Sequence, residues 1–277
     1  GQDVIYFNDG AGSFTTTLDF GPEADATWSV AVGDMDGDGR LDIVAGGDGQ
    51  DVIYFNAGAG SFTTTRNFGP DSDRIKSVTV GDMDGDGDLD IVAGQFGQQS
   101  MVYFNDGAGS FRPTRIFGTG GDDNRSVAVG DMDGDGDLDI VAGNYEKPSG
   151  VYLNDGAGNF TTTLSFGTGL HATQSVVVGD MDGDGHLDIL AGNYSGPDVV
   201  YFNDGQGGFD SPGSPPHNFG TNTDRTESVA VGDIDGDGDL DIVTGNNGQQ
   251  NVIYFNDGKG NFATARNFGT GSDSTSS

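Results

Sequence analysis

Five short acidic segments have the composition of metal-binding loops. The stretch "GDMDGDGRLDIVAG" at 33–46 returns at 81–94, 130–143, 179–192 and 232–245 with few changes. Each copy follows the pattern D-x-D-G-D-G-x-x-D, which offers carboxylates at positions 1, 3, 5 and 9 and a backbone carbonyl at position 7. Two unit charges about 4 Å apart repel by roughly 4 kcal/mol at an effective dielectric constant near 20. The pattern therefore predicts that a cation lies among these side chains.

Calcium is the ion that this spacing favours. Ca²⁺ takes six to eight oxygen ligands, and a glycine at position 6 permits the sharp turn that such a loop needs. Mg²⁺ prefers a small octahedral shell with retained waters, and metals that prefer thiolate or imidazole find few such ligands here. An EF-hand is excluded because these loops close at position 9 and continue into a predicted strand. A single copy would be compatible with a solvated turn, but five copies favour about five bound Ca²⁺ ions. The predicted ligand residues, with position 7 acting through its carbonyl, are Asp34, Asp36, Asp38, Arg40 and Asp42; Asp82, Asp84, Asp86, Asp88 and Asp90; Asp131, Asp133, Asp135, Asp137 and Asp139; Asp180, Asp182, Asp184, His186 and Asp188; and Asp233, Asp235, Asp237, Asp239 and Asp241.

The loops belong to a repeat of about 50 residues. A second element, "YFNDGAGSF" at 6–14, occurs six times between and around them. In one unit, 29–34, 41–46, 51–56 and 61–68 are rich in β-branched or aromatic residues, and Asn-Gly and Asp-Gly clusters predict hairpins. No segment shows helical periodicity. Four antiparallel strands per unit of this length predict an all-β propeller, with a parallel β-helix of shorter rungs as the competing architecture.

Charge and composition exclude several partners. The chain of 277 residues carries a formal charge of −33, so it would repel nucleic acid and anionic membranes. It has no apolar stretch long enough for membrane insertion and no cysteine. Its 18 Phe and 8 Tyr residues nevertheless supply the apolar surface of a folded protein.

The whole pattern resembles the FG-GAP/VCBS-type calcium-binding β-propellers, which include the integrin α-subunit head, fungal lectins and bacterial surface proteins. The acidic loops, the "NDGxGxF" hairpins and the Phe-Gly pairs at 20–21, 68–69, 117–118, 166–167, 219–220 and 268–269 carry this resemblance. It implies a seven-bladed ring, with calcium loops on one rim, that is extracellular and serves recognition instead of catalysis.

The number of repeats departs from a seven-bladed ring. We expect a half-blade at 1–27 and five repeats that start near 28, 76, 125, 174 and 227, within a single propeller domain or part of one. About 25 further residues would complete six blades. An unpaired strand edge invites pairing. The sequence therefore indicates an excised fragment, or a half-blade completed by another copy in an oligomer or fibre.

Candidate recognition residues lie where the repeats differ. The acidic loops and hairpins share one rim in an antiparallel blade, so the variable connections share the other. On that rim Trp28, Phe96, Tyr145 and Tyr194 are candidates to stack on a sugar or anchor a protein, with Asn144, Asn193 and Asn246 as polar contacts. Asn124, Asn159 and Asn193 head possible glycosylation sites. His171, His186 and His217 stand without a repeated acid or nucleophile, so no catalytic residue is assigned.

These observations favour a non-enzymatic, extracellular propeller that binds a glycan or an extracellular protein through its variable rim. A second hypothesis is a structural module of a surface fibre or oligomer that assembles through its half-blade ends. A third is a secreted enzyme acting on polysaccharides, which has less support because the sequence shows no clustered Arg, His or Lys site.

Overall fold

The computed structural model describes residues 2–21, 26–58, 60–111, 114–167, 171–209, 216–220 and 224–270. The regular structure within these ranges is entirely β-strand, which confirms the predicted all-β class. In this part of the chain no helix is long and apolar enough to cross a membrane.

The described strands form one two-stranded sheet and five four-stranded sheets. The two-stranded sheet, here called the half-blade, pairs β1 (Asp3–Phe7) with β2 (Thr16–Phe20). Blade 1 contains β3 (Thr27–Gly33), β4 (Asp42–Gly47), β5 (Asp51–Phe55) and β6 (Thr64–Phe68), and blade 2 contains β7 (Ile75–Gly81), β8 (Asp90–Gln95), β9 (Ser100–Tyr103) and β10 (Arg115–Phe117). Blade 3 contains β11 (Asn124–Gly130), β12 (Asp139–Asn144), β13 (Ser149–Leu153) and β14 (Thr162–Phe166). Blade 4 contains β15 (Thr173–Gly179), β16 (Asp188–Asn193), β17 (Asp198–Tyr201) and β18 (His217–Phe219), and blade 5 contains β19 (Thr226–Gly232), β20 (Asp241–Asn246), β21 (Asn251–Phe255) and β22 (Thr264–Phe268).

Each blade is an antiparallel meander that runs from its inner to its outer strand without a crossover. In blade 1, for example, Ile43 pairs with Val32 on one side and Tyr54 on the other. The acidic loop joins the first two strands and the Asn-Gly hairpin joins the last two, so both lie on one rim, here called the acidic rim. The fourth strand is shorter than the predicted segment 61–68 and starts at Thr64, because Ser61 donates to the Gly58 carbonyl and closes the hairpin.

The apolar core lies between successive blades. The inner strands β3, β7, β11, β15 and β19 contact one another in sequence. A glycine in the second strand allows this approach, since a Cβ on Gly46 would lie 2.8 Å from Ile75 and 2.9 Å from Val78. At the outer edge Phe68 of one blade meets Tyr103 of the next edge to face, with ring centroids 5.3 Å apart. This contact explains the repeated Phe-Gly pairs and the tyrosine of each "YFN" segment.

The blades form an open arc whose two end faces expose residues that are buried elsewhere. On blade 1, Val30 is 54% exposed, whereas the equivalent Val78 is 6% exposed. On blade 5, Ile234 is 49% exposed, whereas methionines at its position in blades 1 to 4 are fully buried. Both faces have the composition of a blade-to-blade contact. We call them the open faces.

Candidate metal centres and the opposite rim

Each acidic loop gathers three carboxylates into one cluster. The side-chain oxygens in each set lie within 4.8 Å of one another. Two ligands of one Ca²⁺ ion, each about 2.3–2.6 Å from it, are at most about 5.2 Å apart, so this separation fits a shared ion. The sets are Asp34, Asp36 and Asp42; Asp82, Asp84 and Asp86; Asp131, Asp133 and Asp139; Asp180, Asp182 and Asp188; and Asp233, Asp235 and Asp241.

The loop backbone is folded by the first aspartate of the motif. Asp82 accepts hydrogen bonds from the Gly85 nitrogen at 2.8 Å and the Gly87 nitrogen at 2.9 Å. Both glycines have positive φ, at 78° and 93°, a region that other L-residues rarely adopt. The repeated Gly positions are therefore required by the turn that brings the carboxylates together.

The ninth position does more than supply an oxygen. Asp90 is fully buried, and its two carboxylate oxygens accept hydrogen bonds from the Met83 nitrogen at 2.9 Å and the Asn105 nitrogen at 2.8 Å. Burial raises its pKa to about 7, against the lowering effect of these bonds. The same burial raises the pKa of Asp139 to about 6 and of Asp188 to about 7. Asp90 ties its loop to the hairpin of its own blade, and the ninth-position aspartate also belongs to the carboxylate cluster in each of the other four loops.

The electrostatics of the clusters fit a divalent cation. Burial and the neighbouring carboxylates raise the pKa of Asp84, Asp133 and Asp182 at the third position. One oxygen each of Asp36 and Asp133 is buried without a hydrogen-bond partner in the described structure. Unpaired carboxylate oxygens beside like charges are the donor set that hard cations prefer.

The fifth and seventh positions are less uniform than the sequence predicts. The fifth-position aspartate belongs to the cluster only in the second loop, through Asp86. In the first loop, the Arg40 guanidinium pairs with Asp38 and also donates to the Asn56 carbonyl at 2.6 Å. Arg40 was predicted to contribute only its carbonyl, so its side chain adds a competing positive charge to this loop.

Sequence reasoning missed the asparagine of each hairpin. The Asn105 amide donates to the Met35 carbonyl in the acidic loop of the preceding blade and to the Leu89 carbonyl in its own, both at 3.0 Å. Asn154, Asn203 and Asn256 repeat this pair of bonds one blade further on. These side chains link adjacent loops. The signal was available, because the asparagine is unchanged in all six hairpins.

The predicted aromatic residues lie on the rim opposite the acidic loops, here called the variable rim. Each is half-buried and faces a cation. Arg74 and Lys76 lie over Trp28, Arg125 lies over Phe96 and Tyr145, and Arg225 lies over Tyr194. Cation–π contacts of this kind were not anticipated from the sequence, because all of them except that of Arg125 with Tyr145 join residues of adjacent blades.

The predicted polar contacts of this rim are corrected by the structure. Asn144, Asn193 and Asn246 are 1–3% exposed, and their amide groups donate to carbonyls of the following turn, at 2.8–2.9 Å. They brace the connection between the second and third strands and present no surface to a ligand. The same burial argues against glycosylation of Asn193, and of Asn124, which is fully buried. Asn159 is half-buried and donates to Asp155.

The fold and its repeated acidic loops define this protein as a β-propeller built from one repeated blade. A family model described as an FG-GAP-like repeat matches residues 1–45, 34–93, 89–142, 131–191, 180–244 and 233–277. The chain belongs to this family, as its motifs indicate.

Similar structures include two lectins and a matrix protein. An Agrocybe aegerita lectin, described as recognising non-reducing terminal N-acetylglucosamine, is 26% identical with a TM-score of 0.61, and the match covers 85% of this chain and 64% of that one. The BP39L lectin from Burkholderia pseudomallei is 15% identical with a TM-score of 0.62, covering 82% and 66%. The V. cholerae biofilm matrix protein Bap1 is 17% identical with a TM-score of 0.52, covering 88% and 40%. This chain thus spans less than two thirds of the length of each structure. No curated protein matches the chain by sequence.

Proposed function

We propose that this chain is an extracellular, calcium-stabilised β-propeller that recognises a glycan through its variable rim and catalyses no reaction. One observation carries the proposal. In five nearly identical blades, the inner-strand residue on the variable rim is different each time, being Trp28, Lys76, Arg125, Gln174 or Glu227. Repeat proteins commonly place binding on the face that varies. The similar lectins support a glycan as the ligand.

The calcium part of the proposal has a direct test. Binding to the folded state alone stabilises a protein, so chelation by EDTA should lower Tm, and added Ca²⁺ should restore it at concentrations where Mg²⁺ does not. Asp84→Asn should weaken binding, whereas Asp71→Asn removes an exposed charge outside the loops and should not. An unchanged Tm after chelation, together with no metal detected by mass spectrometry, would refute this part.

Glycan recognition is tested by applying the Ca²⁺-loaded protein to a glycan array. A subset of glycans should bind, and Trp28→Ala should reduce that signal. Phe14→Ala is the matched control, because Phe14 is an exposed aromatic residue in the half-blade hairpin on the acidic rim. A folded protein that binds no glycan on the array would contradict the proposal.

The open faces favour a second function, as a structural module that assembles end to end. Leu41 at one end is 62% exposed and Ile234 at the other is 49% exposed, and an apolar surface of this kind marks an association site. Sedimentation should then show oligomers or filaments whose size grows with concentration, and Leu41→Lys should dissociate them. Thr17→Lys on the exposed β2 is the control. Single arcs at every concentration would exclude this function.

A further inference from the structure

Three basic residues converge on the variable rim of a strongly acidic chain. Arg74, Lys76 and Arg125 are three of only 11 Lys and Arg residues in a protein of net charge −33. Lys76 and Arg125 occupy the same register in the inner strands of blades 2 and 3. The end of the inner strands on the variable rim, here called the channel mouth, thus carries a group of the chain's few cations.

Aromatic rings, more than carboxylates, hold these cations in place. Lys76 Nζ lies 3.4 Å from the ring centre of Trp28, and Arg74 lies 4.4 Å from that of Phe96. Arg125 lies between Phe96 and Tyr145, at 5.2 and 4.7 Å. An aromatic face attracts a cation but leaves its charge in place. The rings thus position the charges without neutralising them.

The three cations have few carboxylate partners among the described residues, and some of their N–H groups have none. Among the described residues no carboxylate lies within 4.0 Å of Lys76, and Arg74 has only a long contact of 3.7 Å, to Asp48. Arg125 pairs with Asp123 at 2.9 Å through one terminal nitrogen. Its Nε is buried with no hydrogen-bond partner in the described structure, as is that of Arg74. Burial lowers the pKa of Lys76, and the charges of Arg125 and Arg74 lower it further, against the opposing effect of Asp123 and Asp48.

A cavity of about 430 Å³ opens beside these groups, within the size range of small-ligand sites. It is lined by Trp28, Lys76 and Arg125, by Gln174, and by the serine that follows in each of these strands. The serines also accept a hydrogen bond from the next blade, as Ser29 does from the Val78 nitrogen at 3.1 Å.

Acidic residues also occur around the mouth. Asp3 borders the cavity and accepts a hydrogen bond from Thr27, and Glu227 replaces the basic residue in blade 5. A ligand is thus offered cations on one side, and hydroxyl and amide groups along the wall. This arrangement suits one compact anionic group on a polar body and disfavours a long polyanion, which the net charge of the protein would repel.

We infer that the channel mouth along blades 1 to 4 binds a carboxylated sugar, with its carboxylate at Lys76 and Arg125 and its hydroxyl groups at the serine and Gln174 side chains. This inference rests on the proposed glycan recognition and adds the class of sugar and the place where it binds. A charged hydrogen bond is roughly twice as strong as a neutral one, so the carboxylate should dominate affinity.

The test compares two probes that differ only at C6, methyl glucuronoside and methyl glucoside, by saturation-transfer NMR and calorimetry on the Ca²⁺-loaded protein. The glucuronoside should bind at least tenfold more tightly. The double variant Lys76→Gln and Arg125→Gln should remove that preference. Glutamine is chosen because blade 4 already has a glutamine, Gln174, at the same register. Arg266→Gln, on the outer strand β22, is the matched control for loss of charge.

The outcomes separate this inference from the function on which it rests. If neutral glycans bind on the array while the glucuronoside shows no preference, or if the preference survives in the double variant, the carboxylate site is wrong and glycan recognition stands. If N-acetylglutamate binds as tightly as the glucuronoside, the site recognises a carboxylate without the sugar, and the assignment to a saccharide is overturned. If no saccharide of either kind binds, the proposed function fails as well.

Discussion

Asp198, the first residue of β17, is a buried carboxyl group whose ionisation opposes folding. It is 1% exposed and accepts hydrogen bonds from the Asn193 nitrogen at 2.7 Å and the Thr226 hydroxyl at 2.8 Å. Burial raises its pKa from 3.8 to about 7, because desolvation outweighs these two bonds and Asp224 adds repulsion. Blade 5 has an asparagine, Asn251, at the same position. The variant Asp198→Asn therefore uses a residue that the repeat already accepts.

The direction of the pH effect follows from the raised pKa. When a carboxyl group has a higher pKa in the folded state than in the unfolded state, its contribution to the free energy of unfolding is fully present below pH 4. That contribution is lost as the pH rises through about 7. One pKa unit corresponds to about 1.4 kcal/mol, so ionisation of Asp198 costs the folded state up to about 4 kcal/mol at pH 8. Asparagine avoids this cost. The new amide can donate to the Thr226 oxygen. The Thr226 hydroxyl can then donate to the Asn246 side-chain oxygen, which lies 3.0 Å from it in the parent structure.

We expect Asp198→Asn to be more stable than the parent at pH 8, by a few kcal/mol, and nearly equal to it at pH 4. About 1 kcal/mol shifts Tm by roughly 2–4 °C in a chain of this size, so the rise at pH 8 should be several degrees. Tm should be measured for both proteins at each pH in saturating Ca²⁺, so that titration of the acidic loops affects both equally.

Asp155→Asn is the matched control for this experiment. Asp155 is exposed, and hydrogen bonds from the Asn159 side chain and the Ala157 nitrogen lower its pKa. Its ionised form is therefore favoured by folding, and its removal should reduce stability slightly at pH 8 instead of increasing it. A difference between Asp198→Asn and the parent that stays constant from pH 4 to pH 8, or a variant less stable at pH 8, would refute the reasoning.

Two further predictions concern the acidic rim. Asn154→Ala should lower the free energy of unfolding by about 1–3 kcal/mol in urea titrations, because it leaves one buried and one partly buried carbonyl unpaired. Asn8→Ala, in the exposed half-blade hairpin, should have little effect. Equal losses for the two variants would contradict the inter-blade role of Asn154. Arg40→Asp should increase the Ca²⁺ affinity of one site several-fold, as measured by calorimetry, because it removes the cation paired with Asp38. Arg266→Asp is the control for the change in net charge. If Arg40→Asp gains no more affinity than this control, the pairing of Arg40 with Asp38 does not limit binding.

The architecture of each blade was predictable because its signals are local. The spacing of the acidic loops, the alternation within strands and the Asn-Gly turns all lie within one repeat, and the structure confirms the four-stranded antiparallel meander. The gathering of carboxylates was also predictable at positions 1 and 3, where the glycine turns direct them inward.

Contacts between blades were beyond sequence reasoning. Asn105 donates a hydrogen bond to a carbonyl 70 residues earlier in the chain. The sequence around either residue does not reveal that pairing. Asn144 was predicted to contact a ligand because it lies beside a variable loop, yet its amide is used within the turn that it starts. Arg40 and Asp38 are close in sequence, but their pairing depends on where the loop directs both side chains.

The two rims differ in how much of the structure depends on their side chains. On the acidic rim, the hairpin asparagines of blades 2 to 5 donate to the acidic loop of the preceding blade, so a change there would unlink two blades at once. On the variable rim, the residue before each inner-strand serine lies outside this network, because Ser77 accepts the Val127 nitrogen at 3.1 Å whichever side chain precedes it. Residues such as Trp28, Lys76 and Glu227 can therefore differ while the serine hydrogen bonds between blades are kept. The repetition of one rim leaves these side chains of the other rim free to vary.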